Sequence, residues 1–482
     1  MLPPNSAART QPYAFLAVAL LAFLVGVSFS PRSQAATVST VYSFTDDGNG
    51  AKNGSTPNGG LALGADGNLY GTTQTGGTPV TMDLGTVFKV SPTGILARIY
   101  SFTGGIDGDT PNDGLVLDSA GNIYGTTQNG GVKSSVCGGA NLITACSGTV
   151  FKIDTNNNNN LTSLHTFSGG DDGAMPNGGL LLKDGYLYGT TQTGGSEFDS
   201  GIIFKISITD NTMTILHIFT DGDTPNGGLV LGSDGKLYGT TQGGGADGAG
   251  NLFVISTDSD PTTSHDTFME LYAFPNTDGG FPQGLIPNGG LVQDGNGTLY
   301  GTTQAGGQND KGTAFKFVPS TGQFTSLYSF TGGDDGDTPN GGLALGADGD
   351  IYGTTQIGGS GYGTVFKIIP ANVVTGKDGL VPVHAFTGNS DGDTPNGGLV
   401  LLKDGYLYGT TQFGGVDANN SDIIGLGAVF KLDTQAAPAS SPPPSGGGGG
   451  GGSIGLLTLA FLSAVYMLRK NQLRPAVLRR HA

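Results

Sequence analysis

The 482-residue chain has no Trp, two Cys, 21 Lys plus Arg, five His and two Glu, at Glu197 and Glu270. Each shortage excludes something. With Glu and Lys scarce and Thr, Asn, Asp and Gly abundant, a helical bundle is disfavoured. A net charge of −17 excludes a nucleic-acid partner, whose phosphates demand a basic surface. The few His and Cys form no metal-binding cluster, and neither a nucleophile elbow nor a phosphate-cradling loop occurs. Glycine is what abounds: 89 residues, which with 24 Pro make about 23% of the chain. That lies just under the ~25–30% of low-complexity sequences. Whether it signifies disorder depends on its periodicity.

The ends differ from the body. Residues 1–36 read as a secretory signal peptide, with Arg9, an apolar run from Ala14 to Phe29, and the small-x-small pattern Ser33-Gln34-Ala35. A retained anchor is the alternative. Near the other end come a Pro/Ser stalk (Ala436 to Ser445), seven glycines (Gly446 to Gly452) and a fifteen-residue apolar stretch, Ile454 to Leu468. Five basic residues follow, from Arg469 to Arg480. Fifteen helical residues rise about 22 Å, short of the ~30 Å hydrocarbon core, and the basic tail favours the cytoplasmic side. The expected organisation is a signal peptide (1–36), a folded body (37–434), a stalk (435–453) and a hydrophobic anchor or sorting helix with a basic tail (454–482). Between the ends, 38 acids face 14 Lys plus Arg, so the exported body is strongly acidic.

Within the body one unit recurs. Tyr-Gly-Thr-Thr-Gln occurs seven times without substitution, from Tyr70 to Tyr408, each followed by any residue and Gly-Gly. Pro-Asn precedes each copy, at Pro57, Pro111, Pro176, Pro225, Pro287, Pro339 and Pro395. Each unit offers four strands: A after Pro-Asn-Gly-Gly, B at LYGTTQ, C at GTVFK and D at YSFT. An Asp-Gly hairpin turn joins A to B in most units. Four antiparallel strands repeated seven times predict an all-β, seven-bladed β-propeller. A right-handed β-solenoid is the alternative, with coils usually shorter than these units. The region opens on a lone D strand at Tyr42-Ser43-Phe44 and ends on a C strand, so the N-terminus is expected to complete the last blade and close the ring.

Seven copies of PNGGL…DGxLYGTTQxGG…GTVFK…LYSFT, over roughly residues 40–432, resemble the GloVer tandem repeat of the choice-of-anchor extracellular proteins. The glycine run, short apolar helix and Arg-rich tail resemble the GlyGly-CTERM sorting signal. That resemblance implies a partner, an intramembrane sorting protease of the rhombosortase type, with a plain membrane anchor as the alternative. The repeat family implies no enzymatic activity or ligand.

Antiparallel order puts the D–A and B–C links on one face. That face gathers Asp-Gly-Asp-Thr-Pro-Asn segments, with Asp109, Asp223, Asp337 and Asp393 as second acids, and the loops of most variable length, so it is the candidate binding face. These Asp invite a Ca²⁺ reading. Turn chemistry explains them equally and is preferred, since no EF-hand or nonapeptide spacing is present; no cofactor is expected otherwise. In YGTTQ, Tyr is expected to pack between blades, Gly to admit the neighbour's backbone, and the Thr pair to favour strand. His165, His217 and His384 replace a strand Tyr. Glu197 falls in a B–C loop and Glu270 just before a D strand, too far apart for an acid–base pair. Cys137 and Cys146 share one B–C insertion, where a local disulfide is expected in an exported protein. The functional expectation is a membrane- or surface-anchored, non-catalytic binding or scaffold module for a cell-surface glycan or protein. The alternative is an extracellular carbohydrate-active hydrolase or lyase using Asp at the channel mouth.

Overall fold

The computed structural model describes residues 37–45, 52–77, 83–131, 147–195, 199–220, 223–257, 267–275, 283–370, 379–415 and 425–434. All lie in the first of two compact units, Met1–Ala439. Outside the described residues fall the second unit, Ser440–Ala482, the predicted signal peptide and stalk, Cys137, Cys146, Glu197 and His265. Among the described residues no helix is long and apolar enough to cross a membrane.

Seven four-stranded antiparallel blades form a ring, the predicted seven-bladed β-propeller. Blade 6 is representative: strand A is Ala344–Leu345, B Ile351–Ile357, C Thr364–Ile368 and D Leu380–Ala385, paired in that order. The A–B turn forms because Asp348 Oδ1 accepts the N–H of Asp350 at 3.1 Å while Gly349 takes φ +82°, a conformation cheap only for glycine. In strand B, Gly353 lies opposite Phe366 of strand C. A Cβ on Gly353 would sit 2.5 Å from the Phe366 ring and 2.6 Å from Leu343. The motif glycine therefore admits an aromatic ring of its own blade, and not the neighbour's backbone as expected. Register explains the difference, because the invariant Gly and the invariant Phe are cross-strand partners.

All seven C–D pairs carry a register shift one residue before or at the C-strand Phe position, as between Val365 and Phe366. Such bulges increase local twist. The D-strand Phe of each blade then meets the C-strand Phe of the next edge to face. Phe330–Phe366 and Phe386–Phe430 are each 5.2 Å apart, and all seven contacts span 5.1–5.6 Å. Aromatic pairs of this geometry contribute about 0.5–1.5 kcal/mol beyond the area they bury.

Closure follows the sequence expectation. Val38–Ser43 pairs antiparallel with Ala428–Asp433, and the Phe44 N–H donates to Gly427 O at 2.9 Å. Phe44 thus packs on Phe88 of blade 1, so the contact that joins the two ends of the body is the same one that joins every other pair of blades. One feature was not expected: several D–A links add a short strand along the end of strand B. Asp337–Pro339 pairs with Ile351–Ile357, and Asp393–Pro395 with Tyr406–Phe413. The D–A links therefore lie beside the start of the B–C links, on one face as predicted. Glu270 lies within a D strand, Thr267–Ala273, rather than before it.

Candidate functional site at the mouth of the ring

Each blade enters the centre through Pro-Asn-Gly-Gly-Leu. In six blades burial alternates along it, with Pro, the first Gly and Leu buried and Asn and the second Gly part-exposed. The exposed set has the period of two expected of a strand entering an accessible mouth.

The seven Asn form a closed circle. Asn58 Nδ2 donates to Asn112 Oδ1 at 2.5 Å. Asn112 donates to Asn177, and the chain of donors continues through Asn226, Asn288, Asn340 and Asn396. Asn396 donates back to Asn58, 338 residues away in sequence. The Gln of YGTTQ reinforces the circle from the blade behind: Gln192 donates to Asn226 at 3.0 Å and Gln356 to Asn396 at 2.6 Å. Gln74, Gln242 and Gln412 do the same to Asn112, Asn288 and Asn58. In those five Asn, both Oδ1 lone pairs are used. The first Thr of the motif adds bonds across two blade junctions, with Thr72 and Thr410 each donating at 3.2 Å to the backbone carbonyls of residues 113 and 59, whereas the equivalent Thr190, Thr302 and Thr354 hydroxyls are buried without a partner among the described residues.

The first Gly of each pair sits where no side chain fits easily. A Cβ on Gly341 would lie 2.6 Å from Thr354 Oγ1 and 2.9 Å from Gly397 O, and one on Gly178 would lie 2.8 Å from Gly227 O. Blade 2 alone departs, reading Pro111-Asn112-Asp113-Gly114. Asp113 is part-exposed and reaches toward blade 3, its carboxyl atoms 3.5 Å from where a Cβ on Gly179 would stand. Loss of solvation pushes its pKa up to about 6, although the Gly114 N–H at 2.5 Å and the Gly179 N–H favour the charged form.

The four Asp singled out from sequence are not brought together; each belongs to a different blade and is bonded locally. Asp109 and Asp393 each accept from the adjacent Thr hydroxyl at 2.8 Å, and burial raises both carboxyls above the usual range. Asp337 pairs with Lys311 at 2.7 Å. Asp223 is buried and accepts from Asn251 Nδ2 at 2.9 Å and Thr241 Oγ1 at 3.3 Å. The first acids of these loops are staples: Asp107 takes the Tyr100 hydroxyl at 3.1 Å and the Thr103 N–H at 2.8 Å. Asp335 repeats this with Tyr328 and Thr331. In three blades His replaces the Tyr, and two of these, His165 and His384, each lie 3.1 Å from the matching Asp172 and Asp391. His217 has its pKa lowered to about 4 by burial and stacks 3.7 Å from Phe268. All three His occupy D strands as expected. Among the described residues no three His, Cys, Asp or Glu are grouped as a metal site.

On the opposite face, the motif Tyr hydroxyl bonds the turn Asp of its own blade, as in Tyr352 to Asp348 at 2.8 Å. Sequence reasoning missed the Asn circle and Asp113. The signals were present, as seven Pro-Asn pairs and one Asp in a column otherwise made of Gly.

A family model described as the Gloeobacter/Verrucomicrobia repeat matches residues 137–289 and 271–441. No curated protein matches. Among solved structures, the chain is similar to the extracellular domain of BT4673, a candidate one-component system from B. thetaiotaomicron, at 12% identity and TM-score 0.50. That match covers 83% of this chain, which spans only 40% of the length of that neighbour. It is also similar to a candidate 6-phosphogluconolactonase from Bacteroides uniformis, at 15% identity and TM-score 0.46, covering 77% of this chain and 94% of that one. At these identities the likeness concerns the fold alone.

Proposed function

The chain belongs to the Gloeobacter/Verrucomicrobia repeat family, and from that premise we propose that it is an exported, surface- or membrane-anchored propeller acting as a non-catalytic binding or scaffold module. The observation that carries this reading is a division of labour on one face. The motif residues there are occupied in holding the ring, as in the Asn circle and the Asp staples, while the B–C loops around them vary from blade to blade. Variable loops on a rigid scaffold are the usual means of building recognition surfaces. The partner is a cell-surface glycan or protein.

Residues 1–36 would direct export, residues 435–453 would hold the ring off the surface, and residues 454–482 would anchor it or be cut by an intramembrane sorting protease. The extracellular assignment of the BT4673 domain agrees with that location. Cys137 and Cys146 would staple the longest B–C loop as a disulfide. Calcium at Asp109, Asp223, Asp337 and Asp393 is a further reading, which calorimetry with Ca²⁺ and melts with chelator test. The main experiment probes glycan and surface-protein arrays with full-length protein in detergent. Saturable binding that survives changes to the loop Asp supports a module. Turnover of a bound glycan would instead establish the rival, a carbohydrate-active enzyme.

A further inference from the structure

Two features of the mouth remain unused by the fold. The first is donor capacity: each circle Asn spends one Nδ2 hydrogen on its neighbour, and the second has no acceptor among the described residues. The second is Asp113, which follows the circle residue Asn112 and turns its carboxyl toward Gly179 of blade 3, with no Lys, Arg or His bonded to it. Six blades show that glycine suffices for the fold at this position.

We propose that the mouth is an axial subsite for an uncharged hydroxyl-bearing group, such as the neutral sugar end of a glycan, which accepts from the Asn amides and donates to the Asp113 carboxylate. This rests on the binding-module reading and specifies its ligand class. Charge selects among ligands. An anion would satisfy the amides but meet Asp113 and the strongly acidic body. A cation would satisfy Asp113 but leave the second N–H of each circle Asn without an acceptor. A hydroxyl is donor and acceptor at once, so it fits both elements without net charge. Asymmetry fixes the orientation, because only the blade 2–3 junction offers the carboxylate.

The test uses three probes of one ring shape and different charge: methyl glucoside, methyl glucuronide and methyl glucosaminide. Full-length protein is titrated with each and followed by ligand-observed NMR. The neutral glycoside should bind best, and Asp113→Gly should weaken its binding at least about tenfold, which equals about 1.4 kcal/mol. Asp113→Gly restores the residue found in the other blades, so it folds. Asp113→Asn, which keeps an acceptor but loses the charge, should weaken binding by an intermediate amount. Preferential binding of either charged probe, equal binding by the Asp113→Gly protein, or no binding of any probe would each overturn the subsite. Glycan or protein binding on the arrays that persists through those results would leave the module reading intact.

Discussion

Blades 2 and 6 share the bonds that staple their entering loops and their A–B turns, and they differ at the mouth of the ring. The D–A loops that lead into them from blades 1 and 5 are stapled alike: Asp107 and Asp335 accept Tyr hydroxyls at 3.1 and 3.0 Å and Thr amides at 2.8 and 2.7 Å. The motif Tyr hydroxyls of blades 2 and 6 reach turn Asp at 3.0 and 2.8 Å. At the next step blade 6 has Gly341, packed tightly against Thr354 and Gly397, and blade 2 has Asp113. A sevenfold motif builds the ring, and a single departure from it supplies a charge that the ring does not need. The comparison separates residues that hold the fold from the one that burdens it.

The largest effect comes from removing a strand that neither blade 2 nor blade 6 can lose, since theirs lie within the chain. Deleting residues 37–46 strips blade 7 of its D strand and of Phe44. Loss of a buried Phe alone is worth about 3–5 kcal/mol. At about 2–4 °C per kcal/mol, the melt should fall by roughly 10 °C or more. An unchanged melt would sink ring closure. Next in size, Phe102→Ala and Phe330→Ala remove the rings that the preceding blades, 1 and 5, pack onto Phe151 of blade 2 and Phe366 of blade 6. Each should lose about 3–5 kcal/mol in urea unfolding, and a large inequality would break the equivalence of blades.

Gly341→Asp transplants the blade 2 residue into blade 6. At neutral pH it should destabilise the ring by about 3 kcal/mol, the energy of a shift of about two pKa units. A neutral outcome would mean that the two sites differ beyond that residue. The smallest effect concerns the Asn circle. Asn112 accepts from both Asn58 and Gln74, whereas Asn340 accepts from Asn288. Asn112→Ala should therefore cost about 1 kcal/mol more than Asn340→Ala, read by thermal unfolding.

The ring was legible because its signals are local and repeated: Asp-Gly turns, four strand motifs recurring seven times and a lone N-terminal D strand whose Tyr42-Ser43-Phe44 matches Tyr328-Ser329-Phe330. The Asn circle was not. Its bonds join residues 54 apart, as in Asn58 and Asn112, and no rule of local spacing pairs side chains from successive blades. The role of the motif glycine was misread because the Gly353–Phe366 register depends on how strand B meets strand C across a loop of variable length. Asp113 needed only a column-by-column reading of Pro-Asn-Gly-Gly, but its raised pKa comes from burial in the assembled ring, which sequence does not display.

The central claim, that Asp113 is a charge held at the mouth against the interest of the fold, has a direct test in the pH dependence of stability. Its pKa is raised in the folded state, to about 6 from 3.8. The folded protein therefore binds the proton more tightly than the unfolded chain. Its contribution is most favourable below about pH 4, is lost as pH rises through about 6, and totals about 3 kcal/mol. Melts of the native protein and Asp113→Gly across this range should differ least near about pH 4 and diverge as pH rises, with Asp113→Gly relatively more stable by about pH 8. A native protein whose stability relative to Asp113→Gly holds constant, or grows, as pH rises would contradict the account.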